Sequence, residues 1–286
     1  MQIGARTVDR FPDGEVAVWV PESVRGKDIF LVQTAASPVN DHLVELLTRA
    51  DACRRAAVAR ITAIVPYPDD AWADKRNGYR EPITARGATD VLRTVGIAHV
   101  IMVDSHTPQI EGFFHIPVDC LTAVPTLCRK LRGRLPPDLL VAAQDLGRVR
   151  MAAPFAQSLD APVIMLHKLR ECPAQTKVIL VSGDASNRAC VIIDDMTSTG
   201  GTVAESNKAL LGAGAGPEFI VADTHGLLLP DARDKLDHAA VREVLVCDTV
   251  PVVETDWQND RVVSMAPLIA DAMERTLAGD SIREMH

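Results

Sequence analysis

The sequence predicts an α/β protein of two halves, each with a mainly parallel sheet flanked by helices. Three observations carry this expectation. Short runs rich in Val, Ile, Leu and Ala alternate with segments of helical period along the 286 residues. Aromatic residues make up 4% while hydrophobic residues make up 47%, a composition suited to strands buried on both faces. The alternation breaks at Pro136-Pro137 and then restarts, which sets the expected domains at 1–135 and 136–286.

In the first half, Val16–Val20 and Ile29–Val32 read as strands. Asp41–Ala57 has helical spacing, with Asn40 or Asp41 as its N-cap. Ile61–Val65 is a strand that Pro66 ends, and a polar, irregular stretch runs from Pro66 to Glu81. Thr84–Val95 reads as a helix, Val100–Val103 as a strand and Thr126–Arg134 as a helix. In the second half, Leu139–Ala142, Val163–Leu166, Val178–Val181, Cys190–Ile193, Phe219–Ala222 and Val244–Val246 are expected strands. The helices between and after them are Val149–Leu159, Gly201–Leu211 and Pro267–Leu277.

The net charge of −8 argues against a general nucleic-acid or membrane-surface binder, because phosphate surfaces select basic footprints. The six cysteines are scattered, without zinc-like spacing or a disulfide framework, so a reducing cytoplasm is expected. No apolar stretch reaches the length of a membrane span and none reads as a signal peptide.

One segment carries most of the chemistry. After the apolar run Cys190–Ile193 come Asp194, Asp195, Met196, Thr197, Ser198, Thr199, Gly200, Gly201 and Thr202, and then a helix. This places a loop at the carboxyl end of a strand, where open α/β sheets bind ligands. The helix start offers N–H groups and positive dipole to an anion. Gly200 and Gly201 allow close backbone approach, and Ser198, Thr199 and Thr202 add hydroxyl donors. Asp194 and Asp195 are positioned to accept hydrogen bonds from two cis hydroxyls of a ribose. Phosphate at one end and diol at the other describe a ribose phosphate. A plainer reading, in which the acids and hydroxyls only cap the helix, uses fewer of these residues than the segment supplies. The Walker A spacing is absent.

The segment resembles the phosphoribosyl-pyrophosphate motif of type I phosphoribosyltransferases and of ribose-phosphate pyrophosphokinases. Further blocks favour the second family: Arg10-Phe11-Pro12-Asp13-Gly14-Glu15, Glu22-Ser23-Val24-Arg25-Gly26, Asn40-Asp41-His42, Arg80–Ala85, and Asp104-Ser105-His106 through Phe114. Over nearly its whole length the chain resembles ribose-phosphate pyrophosphokinase (phosphoribosyl-pyrophosphate synthetase). The resemblance implies two phosphoribosyltransferase-like domains, a homo-oligomer with ATP sites near subunit interfaces, and transfer of the β,γ-diphosphate of ATP to the 1-hydroxyl of ribose 5-phosphate. By the same resemblance, Phe11, Asp13, Gly14 and Glu15 reach the ATP adenine. Trp72 and Ala73 fall in the ATP loop, His106 and Asp145 lie at the Mg²⁺-ATP site, and Lys168 and Arg170 match the catalytic Lys-x-Arg.

Two departures stand out. Trp72-Ala73 replace the family's usual Arg-Gln, and Asp69 and Asp70 add negative charge beside them. Only ten residues precede Phe11, so the family's first strand, turn and helix are expected to be missing or supplied differently. An alternative reading follows: a divergent paralogue that binds phosphoribosyl ligands with ATP-dependent catalysis lost or altered. A third, a phosphoribosyltransferase acting on a base or amine, fits the two-domain length and the Phe11 block less well.

Overall fold

The computed structural model describes residues 3, 4, 7–68, 74–76, 78–172, 175–238, 241–252 and 260–285, with backbone alone at 7, 146, 168–172, 175–179, 238 and 260. The chain divides into two compact units, Met1–Leu121 with Ala270–His286, and Thr122–Ile269. The division falls ahead of the helix beginning at Val124 rather than at Pro136-Pro137. That helix packs on the helix Val149–Leu159, so it groups with the second unit.

The first unit opens with an antiparallel ribbon of β1 (Thr7–Arg10) and β2 (Val16–Trp19). A four-stranded parallel sheet follows in the order β3 (Asp28–Val32), β4 (Arg60–Val65), β5 (His99–Val103), β6 (Val118–Leu121). Helices α1 (Val39–Arg55) and α2 (Thr84–Thr94) provide crossovers. The apolar run Ile61–Val65 and all of β5 are buried, as parallel strands covered on both faces require. Leu46, Ala50, Leu92, Ile61, Val100 and Met102 share one core. α1 starts earlier than the Asn40 or Asp41 cap predicts. Pro38 is the N-cap residue, without a side-chain cap bond, because its extended backbone ends the preceding chain. Asp41 instead sits in the first turn and pairs with Arg10 at 2.6 Å.

The second unit runs α3 (Val124–Leu131), β7 (Leu139–Ala143), α4 (Val149–Leu159), β8 (Val163–Cys172), β9 (Gln175–Ser182), β10 (Ala189–Thr197), α5 (Gly201–Gly212), β11 (Phe219–Gly226), α6 (Ala232–His238), β12 (Val241–Cys247), β13 (Asp260–Val263) and the start of α7 (Ala266–Ala278). The sheet order is β13-β12-β11-β10-β7-β8-β9. All neighbours are parallel except the β8–β9 pair. From β7 the chain winds outward through β8 and β9; from β10 it winds the other way. The order therefore reverses between β7 and β10, and such a switch point opens a crevice at the carboxyl ends of the strands.

Several strands are longer than the apolar pattern predicts, among them β9, β11 and β12, and two of the extensions bear on the site. β10 continues through Asp194 and Asp195 to Thr197, because β11 pairs with it as far as Gly226. β8 continues past Leu166 to Cys172, paired with β9. The edge strands β6 and β13, strand β1 and the helix α6 were not anticipated; short edge strands carry little alternation to read. Among the described residues no helix is long and apolar enough to cross a membrane.

Cys190, Ile192, Phe219, Val221, Leu210 and Leu236 form the centre of the second core, and Phe219 is among its largest fully buried side chains. Phe219→Ala is expected to cost about 3–5 kcal/mol through lost burial and a residual cavity. Urea or thermal denaturation monitored by circular dichroism measures this; a loss below ~1 kcal/mol would contradict the packing.

Candidate active site

The carboxyl ends of β7, β10 and β11 converge on one group of charges. Register pairs Ala143 of β7 with Ile193 of β10, and Asp194 of β10 with Asp223 of β11. The chain leaving β7 therefore meets the two acids of β10. Asp145 follows β7 and caps the single 3-10 turn Leu146–Arg148, where its carboxylate accepts the Arg148 N–H at 3.1 Å. This turn delivers the Arg148 side chain to the acids. Its Nε lies 2.8 Å from Asp194 Oδ1 and its Nη2 lies 2.6 Å from Asp195 Oδ1.

A third acid completes the group. Asp223 is fully buried; its Oδ1 accepts the Asp194 N–H at 3.0 Å and its Oδ2 accepts the Thr197 hydroxyl. Asp194 Oδ1 also accepts the Asp195 N–H at 2.9 Å. Burial first, and then the neighbouring Asp195, push the Asp194 carboxyl well above the usual range, with Arg148 acting in the opposite direction. Burial likewise raises Asp223 to about 7, opposed chiefly by the Thr197 hydrogen bond. Both shifts have the same origin: carboxylates crowded into a poorly solvated sheet edge.

Beyond the acids, the loop is only Ser198–Gly200, shorter than the sequence suggests, since Asp194–Thr197 belong to β10. Gly200 is the N-cap of α5 at φ +70° and ψ −6°, and no side chain caps the helix. A Cβ at Gly200 would stand 3.0 Å from the Ala232 carbonyl oxygen, so both the turn and the contact with α6 require glycine. Thr199 Oγ1 lies 3.5 Å from the Gly201 N–H. The carbonyls of Thr197 and Ser198 are tied to Leu227, Leu228 and Leu229. Ser198, Thr199 and Thr202 thus flank a helix start without a side-chain cap, and such helix starts can receive a phosphate.

Lys168 and Arg170 lie on β8, not on a loop after it. Their backbones pair with Val178 and Thr176. Since Ala143 pairs with Met165, this part of the β8–β9 ribbon rises past the carboxyl end of β7. In the first unit, Phe11, Asp13, Gly14 and Glu15 form the exposed tip of the β1–β2 ribbon. There the Phe11 N–H donates to the Glu15 carbonyl at 2.9 Å, the Gly14 N–H to the Phe11 carbonyl at 2.8 Å, and the Glu15 N–H to Asp13 Oδ1 at 3.2 Å. His106 is exposed in the chain following β5, beside Thr107, whose hydroxyl donates to Asp74 at 3.0 Å. Trp72 and Ala73 lie outside the described residues. His106 belongs to the first unit and Asp145 to the second. Among the described residues no group of three or more His, Cys, Asp or Glu is arranged to hold a metal ion.

Sequence reasoning missed Arg148 and Asp223. The available signal for Asp223 was a polar run, Asp223-Thr224-His225, directly after an apolar strand. For Arg148 it was a cation in the turn between a strand and a helix.

A mainly parallel sheet with a topological switch point, two acids near the carboxyl end of its central strand and a Gly-Gly helix start beyond them define an α/β protein of the phosphoribosyltransferase-like class. Residues 1–96 match the family model described as the N-terminal domain of ribose phosphate pyrophosphokinase, and residues 140–286 match the phosphoribosyl synthetase-associated domain. The chain is 38% identical over 279 residues to the ribose-phosphate pyrophosphokinase of Clostridium acetobutylicum, covering 96% of this chain and 87% of that one. It is 38% identical to the enzyme of the same name from Nostoc sp., covering 100% and 87%. The crystal structure of phosphoribosylpyrophosphate synthetase from Mycobacterium smegmatis superposes with a TM-score of 0.89 at 38% identity, covering 97% of this chain and 92% of that one. The chain belongs to the ribose-phosphate pyrophosphokinase family, a family of diphosphate-transferring enzymes.

The buried Asp223 predicts a pH dependence. A carboxyl whose pKa is raised in the folded chain binds its proton more tightly there than in the unfolded chain. Its contribution is therefore most favourable at low pH and is lost as pH rises from about 4 to about 7. Asp223→Asn keeps the acceptor oxygen and removes this titration. The wild type is expected to lose stability relative to this variant across that window, by up to ~1.4 kcal/mol per pH unit. Denaturation midpoints of both proteins at several pH values measure it, and parallel profiles would contradict the assignment.

Proposed function

We propose that the chain transfers the β,γ-diphosphate of ATP to the 1-hydroxyl of ribose 5-phosphate, giving phosphoribosyl pyrophosphate and AMP. The observation that carries this reading is the succession, at the carboxyl end of β10, of the Asp194-Asp195 pair and the Gly200-Gly201 helix start, which has no side-chain cap. One end suits a diol and the other a phosphate. Asp194 and Asp195 accept the ribose hydroxyls. Ser198, Thr199, Gly200, Gly201 and Thr202 bind the 5-phosphate through hydroxyls and backbone N–H groups. This fixes the sugar so that its 1-hydroxyl oxygen attacks the β-phosphorus as the bond from the α-phosphate breaks. Lys168 and Arg170 supply positive charge to the transferring group, whose phosphoryl oxygens carry the negative charge of the transition state.

The nucleotide reading uses Phe11, Asp13, Gly14 and Glu15 at the ribbon tip, with Trp72 and Ala73 in the ATP loop. The half-exposed aromatics Phe11 and Trp19 on this ribbon support a homo-oligomer in which the ATP site lies near a subunit interface. For Mg²⁺ the donor chemistry fits only in part. Mg²⁺ prefers oxygen ligands and is usually held by one or two carboxylates together with substrate phosphates and water. The Asp145 carboxylate suits that role, and His106 is assigned to the Mg²⁺-ATP site with it. When bound, Mg²⁺ neutralises diphosphate charge. The thiols of Cys53, Cys120, Cys128 and Cys190, none of them in a disulfide, support a reducing, cytoplasmic setting.

The test is AMP release from ATP in the presence of Mg²⁺ and ribose 5-phosphate, resolved by chromatography. Sugar-dependent AMP is expected, and its absence from a folded sample would overturn the activity. Lys168→Ala is expected to lower kcat by a factor on the order of 10² or more while changing the KM for ribose 5-phosphate little. Equal turnover in the two proteins would remove Lys168 from the mechanism.

A further inference from the structure

We propose that Arg148 is a positioning residue for ribose binding: its guanidinium holds the carboxylates of Asp194 and Asp195 as one fixed acceptor pair. This rests on the reading of those acids as the partners of the ribose hydroxyls.

The geometry is specific. One planar fork spans two adjacent acids, Nε to Asp194 Oδ1 at 2.8 Å and Nη2 to Asp195 Oδ1 at 2.6 Å. The three side chains are 15%, 10% and 6% exposed, so the pair is formed away from solvent screening. The backbone carrying Arg148 is itself fixed, since its N–H donates to both the carbonyl and the carboxylate of Asp145, each at 3.1 Å. On the other side the Asp194 N–H is anchored on Asp223. The acids are thus gripped from two directions, by a cation through their carboxylates and by a buried strand through the backbone.

Adjacent carboxylates in such a place repel one another and lack hydration. Removing the guanidinium leaves that repulsion uncompensated, and the acids must splay or become neutral. Either change spoils a pair of acceptors matched to two neighbouring hydroxyls. Lysine is an incomplete substitute, because its ammonium is a single point charge on a flexible stem, while the guanidinium spreads its charge across both carboxylates. The effect belongs to sugar binding. It differs from that of Lys168, which is read as acting on the transferring group.

The experiment compares full-length wild type, Arg148→Met, Arg148→Lys and Asp194→Asn by AMP-release kinetics and by calorimetry with ribose 5-phosphate. Arg148→Met is expected to raise the KM for ribose 5-phosphate about tenfold or more, with the KM for ATP changed less than about twofold. Arg148→Lys is expected to show a smaller rise in the same constant. An unchanged or lowered sugar KM in Arg148→Met overturns the proposal, as does an equal rise in both KM values, which would signal general loss of structure. If Arg148→Met does not fold, Arg148→Lys carries the test, and wild-type sugar affinity in it overturns the proposal. Asp194→Asn separates the two possible failures. Lost sugar affinity there with none lost on changing Arg148 rejects the Arg148 role alone, whereas unchanged affinity in Asp194→Asn rejects the ribose reading beneath it.

Discussion

Three carboxylates, Asp194, Asp195 and Asp223, meet at the carboxyl edge of one sheet with the guanidinium of Arg148 against two of them. Burying an acid without a partner is costly, and burying three together is more so. The rest of the second unit answers that constraint. β11 supplies Asp223 to the Asp194 N–H and the Thr197 hydroxyl. β7 ends where its turn can present Arg148. The apolar core beneath, with Cys190, Ile192, Phe219 and Val221, keeps these strand ends in register.

The topology explains why the acids stand there. In this sheet the strand order reverses between β7 and β10, so the connections after these two strands leave in opposite directions. Such a reversal generally leaves a crevice between the two connections. Functional groups from the β7–α4 turn and the β10–α5 turn then face the same space without being near in sequence. The same gap receives the start of α5, whose N-terminal N–H groups lack intrahelical partners and whose turn demands glycine at Gly200. A sugar phosphate needs both ends of this arrangement: acceptors for its hydroxyls and donors for its phosphate. The β8–β9 ribbon, extending past the sheet edge, brings Lys168 and Arg170 to the same end of the fold.

The fold was legible to different depths in different elements. Ile61–Val65, Val100–Val103 and Cys190–Ile193 are continuous β-branched or apolar runs, and their burial on both faces follows from that pattern. Val149–Leu159 is bounded as its spacing predicts, despite Pro154 inside it. The extensions of β8 and β10 were not legible. Asp194, Asp195, Lys168 and Arg170 have weak strand preference, and only pairing with β9 and β11 holds them extended. The N-cap of α1 was misjudged because Asn40 and Asp41 are good capping residues, while Pro38 upstream sets where the helix begins.

The sequence by itself determined that a strand, two acids, hydroxyls and a Gly-Gly helix start follow one another within a short span. Those residue types are the ground on which a ribose-phosphate site is proposed, because phosphate and diol recognition depend on local backbone and side-chain donors and acceptors. Only the tertiary structure decided the electrostatics of that site. Arg148 and Asp223 lie far from Asp194 along the chain and reach it through strand order and register. Charge balance in a buried site depends on which distant side chains are packed against it, and that is a property of the folded sheet rather than of any local pattern.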